Sequence, residues 1–206
     1  MGPSTPRRPD LDPDPLDDDL VERVVDSRVL HKGRYLEFRV DTIERADGSR
    51  SERDIAGHPG AVAIVAIDEG GRILLVRQWR TPAERVLLEI PAGTLDVDAA
   101  TGAIEDPDLA ARRELEEETG YRAGRWKRLT AFFTAPGFTS EHMTLYLATE
   151  LSPAHPDERL GPDEDEHLRL ERRTLAEALD AVDRGEIADA KSIVGLLWVA
   201  RSRPPA

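Results

Sequence analysis

The chain has 206 residues, 39% of them hydrophobic, and no cysteine. That length suits one domain of ordinary to large size with a real core, and it excludes a disulfide framework or a thiolate metal site. Its 41 acidic against 28 basic residues leave a net charge of −13, which argues against a nucleic-acid partner, because phosphate binding without metal needs clustered Lys and Arg. The longest apolar runs, Ala61 to Ile67 and Val194 to Ala200, fall far short of the roughly 20 residues of a membrane span. Met1 to Leu20 lacks the apolar stretch of a secretory signal, so no membrane partner and a cytoplasmic setting are expected. Acidity leaves one route to a polyphosphate: carboxylates recruit divalent cations, and the metal inverts the local charge.

In chain order, residues 1–22 hold Pro3, Pro6, Pro9, Pro13 and Pro15 and the run Asp17-Asp18-Asp19. Such a segment buries too little apolar surface to offset its ordering entropy and reads as a disordered acidic arm. Residues 23–58 read as a small antiparallel sheet. Its strands fall near 24–31, 35–45 and 51–57, with Ala46-Asp47-Gly48-Ser49 as a hairpin turn. Two apolar strands follow, Ala61 to Asp68 and Arg72 to Arg80, around Glu69-Gly70-Gly71. A short strand, Val86 to Ile90, then runs into Pro91-Ala92-Gly93 and a loop of about a dozen residues.

The spacing predicts a helix over Pro107 to Thr119, because Asp106 suits the N-cap, Pro107 the first helical position and Gly120 the stop. Further strands are expected near Trp126 to Thr134, His142 to Glu150 and Leu168 to Arg172, and helices near Leu175 to Arg184 and Ala188 to Ser202. Strands with interspersed helices, without a strict βαβ repeat, give an α+β class with a mixed sheet flanked by helices. Trp198 and Phe133 sit in apolar runs and read as core. His142 and His167 read as ordinary polar residues.

Within the predicted helix, Glu114, Glu117 and Glu118 stand at i, i+3 and i+4 and share one face, whereas Glu116 points elsewhere. Replacing Glu116 is therefore expected to be nearly silent. The three glutamates crowd the last turn, where the macrodipole is negative and each acid is unfavourable by roughly 0.3 to 1 kcal/mol. A sequence selected for stability alone would place Lys or Arg there. Hard oxygens gathered against dipole and mutual repulsion are what a Mg²⁺ site, or a Mn²⁺ site, requires.

Glu105, Arg113-Glu114-Leu115, Glu117-Glu118 and Gly120-Tyr121 resemble the signature of the Nudix hydrolases, G-x5-E-x7-R-E-U-x-E-E-x-G-U with U a bulky apolar residue. From Glu105 onward every fixed position is filled, but eleven residues, not five, separate Gly93 from Glu105. The resemblance implies a Nudix-type α/β/α sandwich over residues 59–203. It implies that Glu114, Glu117 and Glu118 hold the metals together with the Ala92 carbonyl, that Glu118 is catalytic, and that Gly93, Glu105, Arg113 and Gly120 support them, Glu105 by an ion pair to Arg113.

Arg53-Asp54, Arg77-Gln78-Trp79-Arg80, Leu88 to Gly93, Ala135-Pro136-Gly137 and Ala188 to Ser192 are similar to the ADP-ribose pyrophosphatase branch of that family. This similarity implies metal-dependent hydrolysis of ADP-ribose to AMP and ribose 5-phosphate, with another nucleoside diphosphate sugar or a nucleoside triphosphate as the alternative substrate and a non-catalytic nucleotide sensor as a further alternative. Arg53, Arg80, Glu89 and Pro136 are then the substrate-binding positions. The branch further implies a homodimer whose exchanged N-terminal strands bring Arg53 to the partner's site. An acid from the loop Asp163 to Glu166 would help activate water, Glu166 first and Glu164 next.

Overall fold

The computed structural model describes residues 15–155, 160 and 167–202. The chain divides into two compact units, one ending at Gly57 and the other starting at His58.

In the first unit, β1 (Arg23–Lys32), β2 (Glu37–Glu44) and β3 (Arg50–Gly57) form an antiparallel meander in that order. The β2–β3 turn closes with Arg45 N donating to Ser49 O at 3.0 Å, and Asp47 Oδ1 accepts from Ser49 N at 2.9 Å, the self-bonding that makes Asp a turn residue. All ten residues of β1 are exposed, whereas Val40 and Ile43 of β2 are buried. Ahead of the sheet, Pro15–Leu20 form 3-10 turns and Glu22 bonds Arg53. The arm expected to be disordered to residue 22 thus has local structure from Pro15 on, because Asp and Pro favour tight turns as well as disorder.

The second unit is built on a mixed sheet in the order β10-β5-β4-β9-β8, from β4 (Ala61–Ile67), β5 (Arg72–Arg80), β8 (Tyr121–Phe133), β9 (His142–Pro153) and β10 (Arg169–Thr174). Two short strands, β6 (Arg85–Glu89) and β7 (Ala92–Thr94), join β5 and β4 respectively. β4 runs parallel to β9, and the other pairings are antiparallel. Every residue of β4 is buried, as expected of a strand covered on both faces.

Strand alternation sorts the core of this unit into two layers. Val62, Ile64 and Ala66 pack with Ala110, Ala111 and Leu115 of α1 (Pro107–Thr119). Ala61, Ala63, Val65 and Ile67 pack with Ala178 and Ala181 of α2 (Leu175–Asp183) and Leu196 and Val199 of α3 (Ala190–Ser202). Helices on both faces make the expected α/β/α sandwich. Trp198 packs against the second layer, but Phe133 is exposed and lies edge-on to His142. Its apolar neighbours in sequence alternate faces, and its own position points outward. Among the described residues no helix is long and apolar enough to cross a membrane.

Candidate active site

The site begins where β4 and β5 part. They pair directly only at Ala66–Leu74 and Ile67–Ile73. Beyond that the segment 85–94 fills the wedge: β6 pairs with β5 from Arg80–Arg85 to Val76–Glu89, and β7 pairs with β4 from Ala63–Ala92 to Ala61–Thr94. Pro91 stands at the changeover. Having no N–H, it needs no acceptor there, and its carbonyl accepts from Ile64 N at 2.8 Å. One five-residue stretch, 89–93, is thereby carried from the β5 side to the foot of α1.

The helix α1 starts and stops as the spacing predicts. Asp106 accepts from Asp108 N at 2.8 Å, Pro107 fills the first position, and Gly120 ends the helix at φ 72°, its N–H donating to Glu116 O at 2.8 Å. Glu118 is buried, and its Oε2 accepts from Ala92 N at 3.1 Å. Glu114 is 8% exposed and lies against Gly93, where a Cβ would fall 1.9 Å from Glu114 Oε1. A side chain at this position would displace the Glu114 carboxylate, which gives a physical reason for glycine in the signature.

Arg113 ties this group together. Its Nε and Nη2 reach both oxygens of Glu105, at 3.2 and 2.8 Å, its Nη1 donates to Glu114 and Glu117 at 2.8 Å each, and Nη2 reaches Thr94 O at 3.4 Å. The hydrogen bond Arg113 donates to Glu105 raises the Arg113 pKa against the opposing effect of burial. Burial is the largest influence and works against ionisation of Glu105, but the hydrogen bonds from Arg113 and Asp96 N together with the charge of Arg113 outweigh it and keep the carboxyl below its usual range. The long 94–104 connection is not featureless: Val97 and Ile104 bridge as a miniature hairpin, and Asp98 accepts from Ala100 N, Thr101 N and Thr101 Oγ1. The extra residues fold onto themselves, and α1 keeps its register.

Three hard-oxygen side chains on one helix face, a backbone cradle opened by Gly93 and no basic residue in the last turn fit a divalent cation. Among the described residues no three acidic or histidine side chains form a closed cation cage. It is the guanidinium of Arg113 that faces Glu114 and Glu117.

Opposite in character is the wall at β5–β6. Arg80 grips Glu89 with Nε and Nη2 at 2.9 and 2.8 Å, and Lys191 of α3 also donates to Glu89. Glu89 is 1% exposed while the Arg80 side chain is 37% exposed. Burial resists ionisation of Glu89, but the Arg80 hydrogen bond and the charge of Lys191 hold its carboxyl below the usual range. Glu89, placed among the substrate contacts on the sequence pattern, thus spends its oxygens on Arg80 and Lys191. Ser192 Oγ accepts from Ile90 N at 2.9 Å, so the start of α3 is stitched to the same stretch that α1 holds at Ala92. Lys191, Asp189 and Ser192 lie in a segment that resembles the family branch, yet no role follows from it alone. The available signal is electrostatic: a cation in a helix's first turn opposes the macrodipole, as the glutamates in α1's last turn do.

The remaining expected positions are dispersed. Pro136 sits in the β8–β9 connection, where Ala135 O accepts from Phe138 N and Thr139 N. Arg53 belongs to the N-terminal unit and pairs with Glu22. Glu164 and Glu166 lie outside the described residues. Glu116 does point away from the other glutamates, but it is not a bystander. It is 6% exposed, receives Arg122 Nε and Nη2 at 2.8 and 2.9 Å, and accepts from Leu160 N at 3.2 Å. Its loss is expected to be nearly silent in turnover, but because the face turned from the site is here turned into the fold, the cost falls on stability.

Residues 57–194 match the family described as NUDIX domain. The chain is 39% identical over 180 residues to the ADP-ribose pyrophosphatase of Bacillus subtilis (strain 168), an alignment covering 87% of this chain and 93% of that protein. It is 40% identical over 175 residues to the ADP-ribose pyrophosphatase of Mycobacterium tuberculosis (strain ATCC 25618 / H37Rv), covering 85% and 81% respectively. In fold it is similar to a solved structure described as an ADP compounds hydrolase, with a TM-score of 0.73 and 24% identity over 88% of this chain and 93% of that one.

Proposed function

Because this chain belongs to the Nudix family of hydrolases, we propose that it cleaves the pyrophosphate of ADP-ribose to AMP and ribose 5-phosphate, in the cytoplasm and with Mg²⁺ or Mn²⁺. The observation that carries the reading is the facing of two walls across the stretch 89–93, carboxylates on α1 and the half-exposed Arg80 on β5. The names of the two relatives near 40% identity support the choice of ADP-ribose.

Glu114, Glu117, Glu118 and the Ala92 carbonyl would hold the metal, which when bound neutralises phosphate charge and acidifies water. Arg80 offers a planar cation suited to a phosphate or a base, and Glu105 with Arg113 keeps α1 in register with the loop that precedes it. Glu166, or Glu164, positions the attacking water, and the Pro136 turn borders the substrate. Two copies exchange their N-terminal strands so that Arg53 serves the partner's site; the exposure of Val24, Val25, Val29 and Leu30 along β1 supports a partner for that strand.

The test is turnover of a panel, ADP-ribose, GDP-mannose and an oxidised nucleoside triphosphate, with Mg²⁺ and with Mn²⁺. The expected result is highest kcat/KM on ADP-ribose and no turnover after chelation. Preference for GDP-mannose or the triphosphate overturns the substrate assignment, and hydrolysis undiminished by a chelator overturns the metal.

A further inference from the structure

Asp189 stands immediately ahead of α3, where its Oδ1 accepts from Ser192 N at 3.1 Å and from Lys191 Nζ at 2.9 Å. Its Oδ2 is buried without a hydrogen-bond partner. Lys191 is 12% exposed, unusual for an ammonium, whose desolvation needs close anions in compensation. Those anions are Asp189 and Glu89, and Glu89 in turn holds Arg80 at two points. The four groups make a neutral cluster of two cations and two carboxylates. Three of them are largely shielded from water, and only Arg80 reaches the opening.

Without Lys191, two buried carboxylates would share the single charge of Arg80. The cluster could then relax by drawing the guanidinium inward toward both acids, or by taking up a proton on Glu89. Either change takes Arg80 out of its two-point pose. The hydrogen-bond partners of Lys191, Glu89 and Asp189, both lie within the cluster.

We propose that Lys191, backed by Asp189, is the positioning residue for Arg80: it locks the Glu89 carboxylate, and through it the Arg80 guanidinium, in the pose that meets an anionic substrate. The inference rests on the proposed function only in taking Arg80 as a substrate contact. It adds a residue from α3, about a hundred positions away, to the control of substrate affinity.

The experiment compares the full-length wild type with Lys191→Met, Lys191→Arg, Arg80→Ala and the Arg80→Ala/Lys191→Met double variant. Two quantities are read: the ¹⁵N–¹H resonance of Arg80 Nε, recorded without substrate, and steady-state kinetics on ADP-ribose with Mg²⁺. Lys191→Met is expected to displace or broaden the Arg80 resonance and to raise KM about tenfold while kcat changes less than about threefold. Lys191→Arg, which keeps a cation, restores the resonance and most of the KM. The double variant is no worse than Arg80→Ala, because the effect of Lys191 passes through Arg80. An unmoved resonance in Lys191→Met overturns the proposal, as does a double variant whose losses simply add. Asp189→Asn supplies the milder perturbation if Lys191→Met does not fold, with a smaller rise in KM and the same displaced resonance; an unmoved resonance there also overturns it. Failure of the wild type to turn over ADP-ribose would overturn the substrate assignment alone, since the Arg80 resonance reports the positioning without substrate.

Discussion

Glu116 and Glu118 are two residues apart on one helix and both are buried, yet they face different duties. Glu118 meets the Ala92 N–H at the edge of the site. Replacing it with Gln keeps an acceptor for that N–H and removes a charge from the proposed metal site, so Glu118→Gln is expected to lower kcat by at least about a hundredfold with little change in melting temperature. Glu116→Gln breaks a buried, two-point bond to Arg122 and leaves both the guanidinium and the Leu160 N–H less well satisfied. It should cost about 1–3 kcal/mol of stability while changing kcat little. Urea denaturation and initial rates on the two variants check the pair. Equal losses of activity with unchanged stability in both would show that the two faces are not separate. The contrast depends on burial, which helical periodicity by itself does not report.

At the scale of elements, α2 and α3 are joined to the β5–β10 edge by an ion-pair network. Glu186, in the α2–α3 connection, receives Arg173 through both Nη atoms at 2.8 Å and Arg77 Nη2 at 2.6 Å, and Glu171 of β10 takes Arg77 Nε at 2.6 Å. Hydrogen bonds from Arg173 and then Arg77 pull the Glu186 carboxyl down to about 2 from an ordinary 4.5. A carboxyl depressed in the folded state binds its proton less readily there than in the unfolded chain. Its contribution is therefore whole above about pH 4.5 and is lost as pH falls toward 2. Glu186 is partly exposed, so solvent and salt weaken the effect. Melting temperature measured from pH 6 to pH 2 should fall with a shallower slope in Glu186→Gln than in the wild type, and high salt should narrow the difference. Parallel slopes at low salt would show that the network carries no pH-dependent stability. A few residues further on, the first turn of α3 is tied to the stretch 89–90 through Lys191 and Ser192, so one short segment links the sheet edge to the site.

For the whole molecule, the N-terminal sheet poses the question of assembly. A three-stranded ribbon with a fully exposed outer strand is marginal unless it packs on something, and two-fold symmetry would supply each site with an Arg53 from the other copy. Refolding a mixture of inactive Arg53→Ala and Glu118→Gln chains should then restore activity to about half of the sites in mixed dimers, as that symmetry dictates. A dimer by light scattering without recovered activity would place Arg53 outside the neighbour's chemistry. The parts of this protein determined by sequence alone are those set by short covalent spacing. The start and stop of α1 at Asp106, Pro107 and Gly120 and the shared face of Glu114, Glu117 and Glu118 follow from caps and helical repeats that neighbours in the chain impose, and the Glu105–Arg113 pair is implied by the resemblance of the motif. The approximate positions of the strands were legible for the same reason, since strand composition and turn residues are local. Only the tertiary structure decided that Glu89 is a buried anchor for Arg80 and Lys191, that Glu116 is locked by Arg122, and that β4 and β5 splay to admit the stretch 85–94. The Glu89–Lys191 bond spans 102 positions of sequence, and such a contact exists only once strand register and helix packing have brought its ends together, which no local pattern encodes.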